Sequence, residues 1–384
     1  MKLIYFIPLL STKGGQERTL TDKANFLARR GHEVLFVTYE HEGPLAYQLH
    51  DAVRHTDIHC HYFSLYRLPL WRRPLALLQL KRTFKERMGR VMEEFRPDVI
   101  VVAIPNTENF LSNLVRVAGE TPVVVESHLA QGHSVIRRGI IEKGIYWLQN
   151  PIRAIRKSQL LIALTQGDAT CWCRMGVPHV TVIPNPVTCY PEEVSRPTSS
   201  LHRIICVGRL APQKRFDRLI DAFALLAGKY PAWHVDIFGK GEDEKKLRQQ
   251  IDRHGLVERI HILPPVDHIY AAYGQSDFLV LSSDFEGFGL VIVEAMACGT
   301  PVVATNCPYG PADIIRDGET GVLSKLEVKD LADKMEWMMT HDVERLQMGQ
   351  KARQAVARYR QEVIIPQWEQ AYLQAQNSAR KRNK

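Results

Sequence analysis

The chain has 384 residues, 45% hydrophobic and 24% charged, a composition ordinary for a globular protein and long enough for two domains with separate cores. Its net charge of +8 and pI near 9.1 point to an anionic partner, whether nucleic acid, membrane surface or phosphorylated substrate. Seven cysteines without framework spacing argue for a reducing compartment; all seven are expected as buried, inert thiols, and the C-x-C at Cys171 and Cys173 lacks the second pair that zinc needs.

No apolar run approaches the ~20 residues of a spanning helix. The opening run at 3–7, L-I-Y-F-I, is read as a first strand rather than a signal peptide, because no small-residue cleavage site follows it. A glycine turn (Gly14, Gly15), a helix to about residue 30 and a strand at 33–38 complete a βαβ unit of a doubly wound sheet. The turn is not G-x-G-x-x-G, so no dinucleotide fingerprint is present. Between 66 and 95 eight arginines and lysines interleave with Leu68, Leu70, Trp71, Leu75, Leu78, Phe84, Met88 and Val91. That pattern fits an anionic membrane surface, and equally a helix with one core-facing stripe and one solvated basic face.

Strands are expected at 98–103 and 122–126, the second running into Ser127 and His128 at a carboxyl end, where ligand-contacting side chains tend to sit. Arg137, Arg138, Arg153, Arg156 and Lys157 around Tyr146 and Trp147 form a second basic-aromatic cluster. Strands at 160–164 and 180–183 precede P-N-P-V, and the proline- and serine-rich stretch 189–200 reads as a linker. A second strand and glycine turn follow, G-R-L-A-P-Q-K, placing Arg209 and Lys214 where two cations can neutralise a pyrophosphate. G-K-G at 239–241 is too short for a Walker loop. After a strand at 278–281 comes S-S-D-F-E-G-F-G-L-V-I-V-E-A-M-A-C-G-T-P-V-V-A-T. Its loop carries Glu286, its helix carries Glu294 and ends at Gly299, and a helix N-terminus faces a ligand with free N–H groups. The helices at 327–340 and 342–359 precede a last one at 361–375 and a basic tail, 377–384, of which 379–384 is expected to be disordered.

The string E-G-F-G-L-x-x-x-E-A-M-A-C-G-T-P-V-V-A resembles the donor-binding signature of retaining glycosyltransferases of family 4, and the resemblance is strongest from about 204 to 323. It implies an α/β fold of two Rossmann-like, doubly wound domains facing each other across a cleft (GT-B). The domains would span 1–188, which binds acceptor, and 201–360, which binds nucleotide sugar, with helix 361–376 crossing back onto the first. It assigns the diphosphate to Arg209, Lys214 and the loop through Phe288, Gly289 and Leu290. Glu294 would hold the ribose hydroxyls and Glu286 the donor sugar. Base contacts fall near Pro264, and Gly14 and Gly15 lie beside the donor phosphates or the acceptor. His128 contacts donor sugar or acceptor and orients rather than attacks. C-P-Y-G-P-A-D-I-I at 307–315 resembles members using UDP-galactose-type or N-acetylhexosamine donors, with Asp313 in place of the usual glutamate.

No D-x-D loop follows a strand, so the expected activity is a metal-independent, retaining transfer with the nucleotide sugar as co-substrate and no further cofactor. The acceptor would be a lipid-linked or cell-envelope glycan at the inner face of the cytoplasmic membrane. Alternatives are a catalytically silent glycan- or lipid-binding subunit and an epimerase or phosphorylase on the same architecture. Nucleic acid is set aside because no recognised module accompanies the basic residues.

Overall fold

The computed structural model describes residues 1–105, 107–128, 151–194, 201–266 and 269–382, and divides into two compact units, Met1–Pro186 with Gln361–Lys384, and Val187–Arg360. In the first unit β1 (Lys2–Phe6), β2 (Glu33–Thr38), β3 (Val53–Asp57), β4 (Val99–Ile104), β5 (Val123–Ser127), β6 (Leu160–Ala163) and β7 (Val180–Val182) form one sheet, ordered β3-β2-β1-β4-β5-β6-β7 and parallel throughout. The central strands are apolar runs such as V-I-V-V-A-I because helices cover both faces and no alternation is required. The order reverses between β1 and β4, and such a switch point opens a crevice at the carboxyl ends.

Around this sheet lie α1 (Gly15–Arg29), α2 (Arg73–Phe95), α3 (Glu108–Ala118), α4 (Pro151–Arg156) and α5 (Gln166–Arg174). Phe84 of α2 stacks on Phe110 of α3 at 4.5 Å, in a core with Phe6, Val102, Val125 and Trp172. The long α2 separates the two readings of its apolar residues: Phe84 and Met88 turn inward, whereas Leu75 and Leu78, with Leu70 and Trp71 just before the helix, lie exposed. Edge strand β3, V-R-H-T-D, is not among the strands expected above; its mixed polar character hides it from a search for apolar runs.

The second unit repeats the plan with β8 (His202–Val207), β9 (Trp233–Phe238), β10 (Ile260–Leu263), β11 (Phe278–Leu281), β12 (Val302–Thr305) and β13 (Val322–Ser324), ordered β10-β9-β8-β11-β12-β13 and all parallel. Its helices are α6 (Phe216–Ala227), α7 (Glu244–Arg253), α8 (Ile269–Gly274), α9 (Leu290–Ala297), α10 (Pro311–Ile314), α11 (Val328–Thr340) and α12 (Asp342–Val356). Here the switch point lies between β8 and β11. The first part of the expected linker is structured: the Tyr190 hydroxyl donates to the Arg353 carbonyl at 2.9 Å, and the Arg360 guanidinium lies 3.8 Å from the centre of its ring. Residues 195–200 lie outside the described residues.

The last helix, α13 (Gln361–Arg382), belongs to the first unit, where Trp368 Nε1 donates to the Pro184 carbonyl at 3.1 Å. It corrects the expectation of a disordered tail from 379: the helix runs on to Arg382, and the Arg380 guanidinium lies 3.5 Å from Asp98 Oδ1. A run of Gln, Ala, Arg and Lys favours helix once an apolar face is docked, so basic character alone did not mark an end.

Candidate functional site

At the switch point of the second unit, the loops leaving β8 and β11 are stitched together. Gly208 leaves β8 beside the Lys214 stem, which would sit 3.3 Å from an added Cβ. A short 3-10 turn (Pro212–Lys214) follows. Gln213 Nε2 donates to the Phe285 carbonyl at 2.8 Å, and the Asp284 N–H to the Gln213 carbonyl at 2.9 Å. Ser282 Oγ donates to the Lys214 carbonyl at 2.8 Å. Buried Arg218 on α6 locks the arrangement, donating to the Ser282 carbonyl at 2.8 Å and to Asp284 Oδ1 at 2.6 Å.

These ties bring two expected site residues into contact. Lys214 Nζ lies 2.7 Å from Glu286 Oε1, and Ser283 Oγ donates to the same oxygen at 2.6 Å. Both partners thus load Oε1 and leave Oε2 without a partner among the described residues. Arg209, on the same β8 loop, is exposed and has no ion pair among the described residues. The G-K-G turn after β9 has a packing role: a Cβ on Gly239 would meet the Gly208 carbonyl oxygen at 2.0 Å, and one on Gly241 the Leu210 carbonyl oxygen at 2.3 Å. Only hydrogen at those positions lets the two turns lie on each other.

Helix α9 begins just beyond. Gly289 precedes Leu290 with φ +92°, a left-handed conformation that suits glycine, and its carbonyl accepts the Ile292 N–H at 2.9 Å. Gly310, at φ +111°, packs against the Phe288 carbonyl and could not carry a side chain there. Glu294 is 5% exposed and accepts the Tyr273 hydroxyl at 3.1 Å and the Tyr270 hydroxyl at 3.5 Å. Burial, reinforced by the Glu294 charge, pushes the Tyr273 phenol well above its ordinary pKa, so it remains a donor. Pro264 is exposed at the end of edge strand β10, two strands away from β8, and none of the bonds above reaches it.

In the first unit Gly14 precedes α1 in extended backbone, and Gly15 is the first residue of that helix. The Glu17 carboxylate folds over Gly14, occupying the place an added Cβ would take. His128 follows β5, and its Nε2 is 2.9 Å from Glu126 Oε2. Glu126 is fully buried, with Lys23 Nζ at 2.5 Å and the Tyr372 hydroxyl as further partners. Burial lowers the His128 pKa, against the raising effect of Glu126.

Sequence reasoning missed Ser283, Tyr270, Tyr273, Lys23 and Tyr372. Lys23 carried a signal: it shares the face of Leu20, Ala24 and Leu27, all buried. Arg137, Arg138, Tyr146 and Trp147 lie outside the described residues, while Arg156 caps α5 through the Met175 carbonyl at 2.9 Å. The thiols need one correction. Cys60, Cys206, Cys298 and Cys307 are buried, but Cys173 and Cys189 are exposed and Cys171 is half-buried, because they sit on the outer side of α5 and in a surface stretch.

Two Rossmann-like units of parallel sheet, the second with carboxylates and cations at its switch point, match the GT-B fold of glycosyltransferases. The chain belongs to this family: the Glycosyltransferase Family 4 model matches residues 13–189 and the Glycosyl transferases group 1 model residues 194–355. An uncharacterized glycosyltransferase of Haemophilus influenzae is 25% identical over 96% of this chain and 98% of that protein. A poly(ribitol-phosphate) alpha-N-acetylglucosaminyltransferase of Staphylococcus aureus is 31% identical over 42% of this chain, which spans only 33% of that longer protein. Among solved structures, a mutant S. aureus TarM in complex with fondaparinux, alpha-GlcNAc-glycerol and UDP superposes with a TM-score of 0.77 at 15% identity, covering 97% of this chain and 99% of that one.

Proposed function

We propose that this glycosyltransferase is retaining and metal-independent, moving a hexose or N-acetylhexosamine from a UDP-sugar to a lipid-linked or cell-envelope glycan. The carrying observation is the Lys214–Glu286 pair at the switch point, with Arg209 exposed on the same loop and the N-terminus of α9 next to Glu286. Arg209, Lys214 and the N–H groups from Phe288 to Leu290 stabilise the charge that develops on the departing diphosphate. Glu294 accepts from the ribose hydroxyls, held in place by Tyr273. Glu286 Oε2 accepts from a hydroxyl of the donor sugar. The C1–O bond to the β-phosphate breaks with its electron pair going to phosphate. The acceptor oxygen bonds C1 on the same face, and its proton passes to the leaving phosphate oxygen. The UDP-bound TarM structure and the poly(ribitol-phosphate) N-acetylglucosaminyltransferase support a UDP donor and an envelope acceptor.

The same reading places the protein at the inner face of the cytoplasmic membrane. Among the described residues no helix is long and apolar enough to cross a bilayer. Leu70, Trp71, Leu75 and Leu78 are instead 59, 73, 63 and 55% exposed, beside the exposed Arg67, Arg72, Arg82 and Lys85. Apolar side chains that enter the headgroup region, flanked by cations that attract anionic lipid, bind a bilayer from one side.

The test is binding and hydrolysis of a panel of UDP-, GDP- and ADP-sugars, with and without EDTA, by the native protein and Glu294→Ala. The expected result is selective UDP-sugar binding, insensitive to EDTA and weakened at least tenfold by the substitution. Folded protein that binds no nucleotide sugar would sink the reading.

A further inference from the structure

In the first unit a buried polar cluster lies under His128. Alternation along β5 puts Glu126 and His128 on one face. Glu126 accepts Lys23 Nζ from α1 at Oε2 and the Tyr372 hydroxyl from α13 at Oε1. Tyr372 also meets the Tyr5 hydroxyl of β1 at 3.1 Å, and Lys23 lies 3.5 Å from the centre of the Trp368 ring. Three elements, α1, α13 and β5, thus meet at one carboxylate, and β1 is tied to it through Tyr372. Lys23 and His128 hold it ionised against the cost of burial.

That arrangement fixes the histidine proton. An ionised carboxylate only accepts, so His128 Nε2 must donate to it. A second proton on Nδ1 would add a cation near Lys23 in a dry site. Nδ1 is buried without a partner among the described residues, so such a proton would find no acceptor among them. The neutral ring leaves Nδ1 as a lone-pair acceptor, and a buried acceptor left unmet is destabilising. A substrate hydroxyl removes that cost.

We propose that Lys23, Glu126 and Tyr372 are positioning residues that hold His128 as the Nε2–H tautomer, with Nδ1 presented to accept a hydrogen bond from a sugar hydroxyl. Through Tyr372 the C-terminal helix is then part of the site's machinery. The proposal rests on the reading of His128 as a substrate-facing residue.

The experiment uses the full-length protein labelled with 15N-histidine, its His128 signal identified by loss in His128→Gln, alongside turnover of UDP-N-acetylglucosamine and UDP-glucose. The native ring is expected as the Nε2–H tautomer, neutral well below the usual histidine range. Tyr372→Phe keeps the ring packing but removes one donor from Glu126, which then draws the histidine proton harder. The His128 midpoint should rise by about one pH unit, and the acidic limb of the kcat profile should move with it. Lys23→Met should shift both further, and Lys23→Arg should restore them. If Lys23→Met does not fold, Tyr372→Phe alone decides. A ring found as the Nδ1–H tautomer, or a midpoint and profile unmoved in Tyr372→Phe, overturns the proposal. Full turnover by His128→Gln would instead remove the underlying reading, whichever tautomer is seen.

Discussion

Replacing Glu286 by glutamine should tighten UDP binding while slowing sugar transfer. In the free site Glu286 and a diphosphate compete for the same ammonium, because Lys214 Nζ is 2.7 Å from Glu286 Oε1. The glutamine amide oxygen still accepts from Ser283 and Lys214, so the loop keeps its shape while the competing charge disappears. The side chains are 18% and 7% exposed, between a surface pair, worth 0.2–1 kcal/mol, and a buried one, whose breaking costs about 3–5. A release of about 1 kcal/mol corresponds to roughly fivefold tighter UDP. Transfer should fall roughly 10- to 100-fold, since a hydrogen bond from the sugar to a charged acceptor is worth about 1.5–3 kcal/mol. Lys214→Met should do the reverse to UDP, weakening it, and should also destabilise the protein by about 2 kcal/mol by leaving Glu286 buried with only Ser283. Calorimetric titration of UDP and urea unfolding of both variants measure these terms. If Glu286→Gln weakens UDP as much as Lys214→Met does, the two groups do not compete, and the assignment of Lys214 to the diphosphate fails.

The pH dependence of stability has a definite sign. His128 is neutral when folded at pH values where an unfolded histidine, pKa about 6.5, already takes a proton. The unfolded state therefore binds more protons there, and stability should fall as pH drops below about 6.5. The depressed carboxyl of Glu126 extends the loss below about pH 4.3, the ordinary glutamate value. Urea midpoints that stay level between pH 7.5 and 5 would contradict this. Towards an aromatic disulfide reagent, Cys173 and Cys189 should react fast in native protein and Cys171 more slowly. Cys298 and Cys307, whose thiols burial pushes up to about 12, should react only on unfolding, with Cys60 and Cys206; rapid native labelling of all seven would refute the burial. Vesicles containing phosphatidylglycerol should co-sediment the protein at least tenfold better than pure phosphatidylcholine, and a Trp71→Ser, Leu75→Gln variant should lose that gain. Equal binding to both lipids would leave the exposed apolar patch without a bilayer role.

Much of the fold was legible because parallel strands covered on both faces are nearly continuous apolar runs, such as V-V-V-E-S at 123–127 and F-L-V-L at 278–281. Glycine turns after β1 and β8 then announced a repeated plan. Edge strand β3 escaped because an edge needs no such run, and V-R-H-T-D resembles loop. Within the candidate site, Glu286 and Glu294 stood out through their surrounding string, and Lys214 through its spacing from Arg209. What supports them did not stand out. Ser283, Tyr273 and Arg218 act through tertiary hydrogen bonds that span from three to more than sixty residues of sequence. The buried Lys23 was obscured by its own chemistry, since lysine on a helix is read as solvated unless a carboxylate is known to wait opposite.

The helix α13 gives the chain an unusual order of assembly. Residues 187–360 are one uninterrupted segment and emerge from the ribosome with everything their sheet requires. The first unit emerges earlier but lacks Trp368 and Tyr372, which cover Lys23 and bind Glu126, until residues 361–384 are made. The unit begun first is thus completed after the second, by residues that follow it in the chain. Loss of residues 361–384 would uncover a charged pair in the interior of the first unit, so a truncation before Gln361 should act as a folding lesion there.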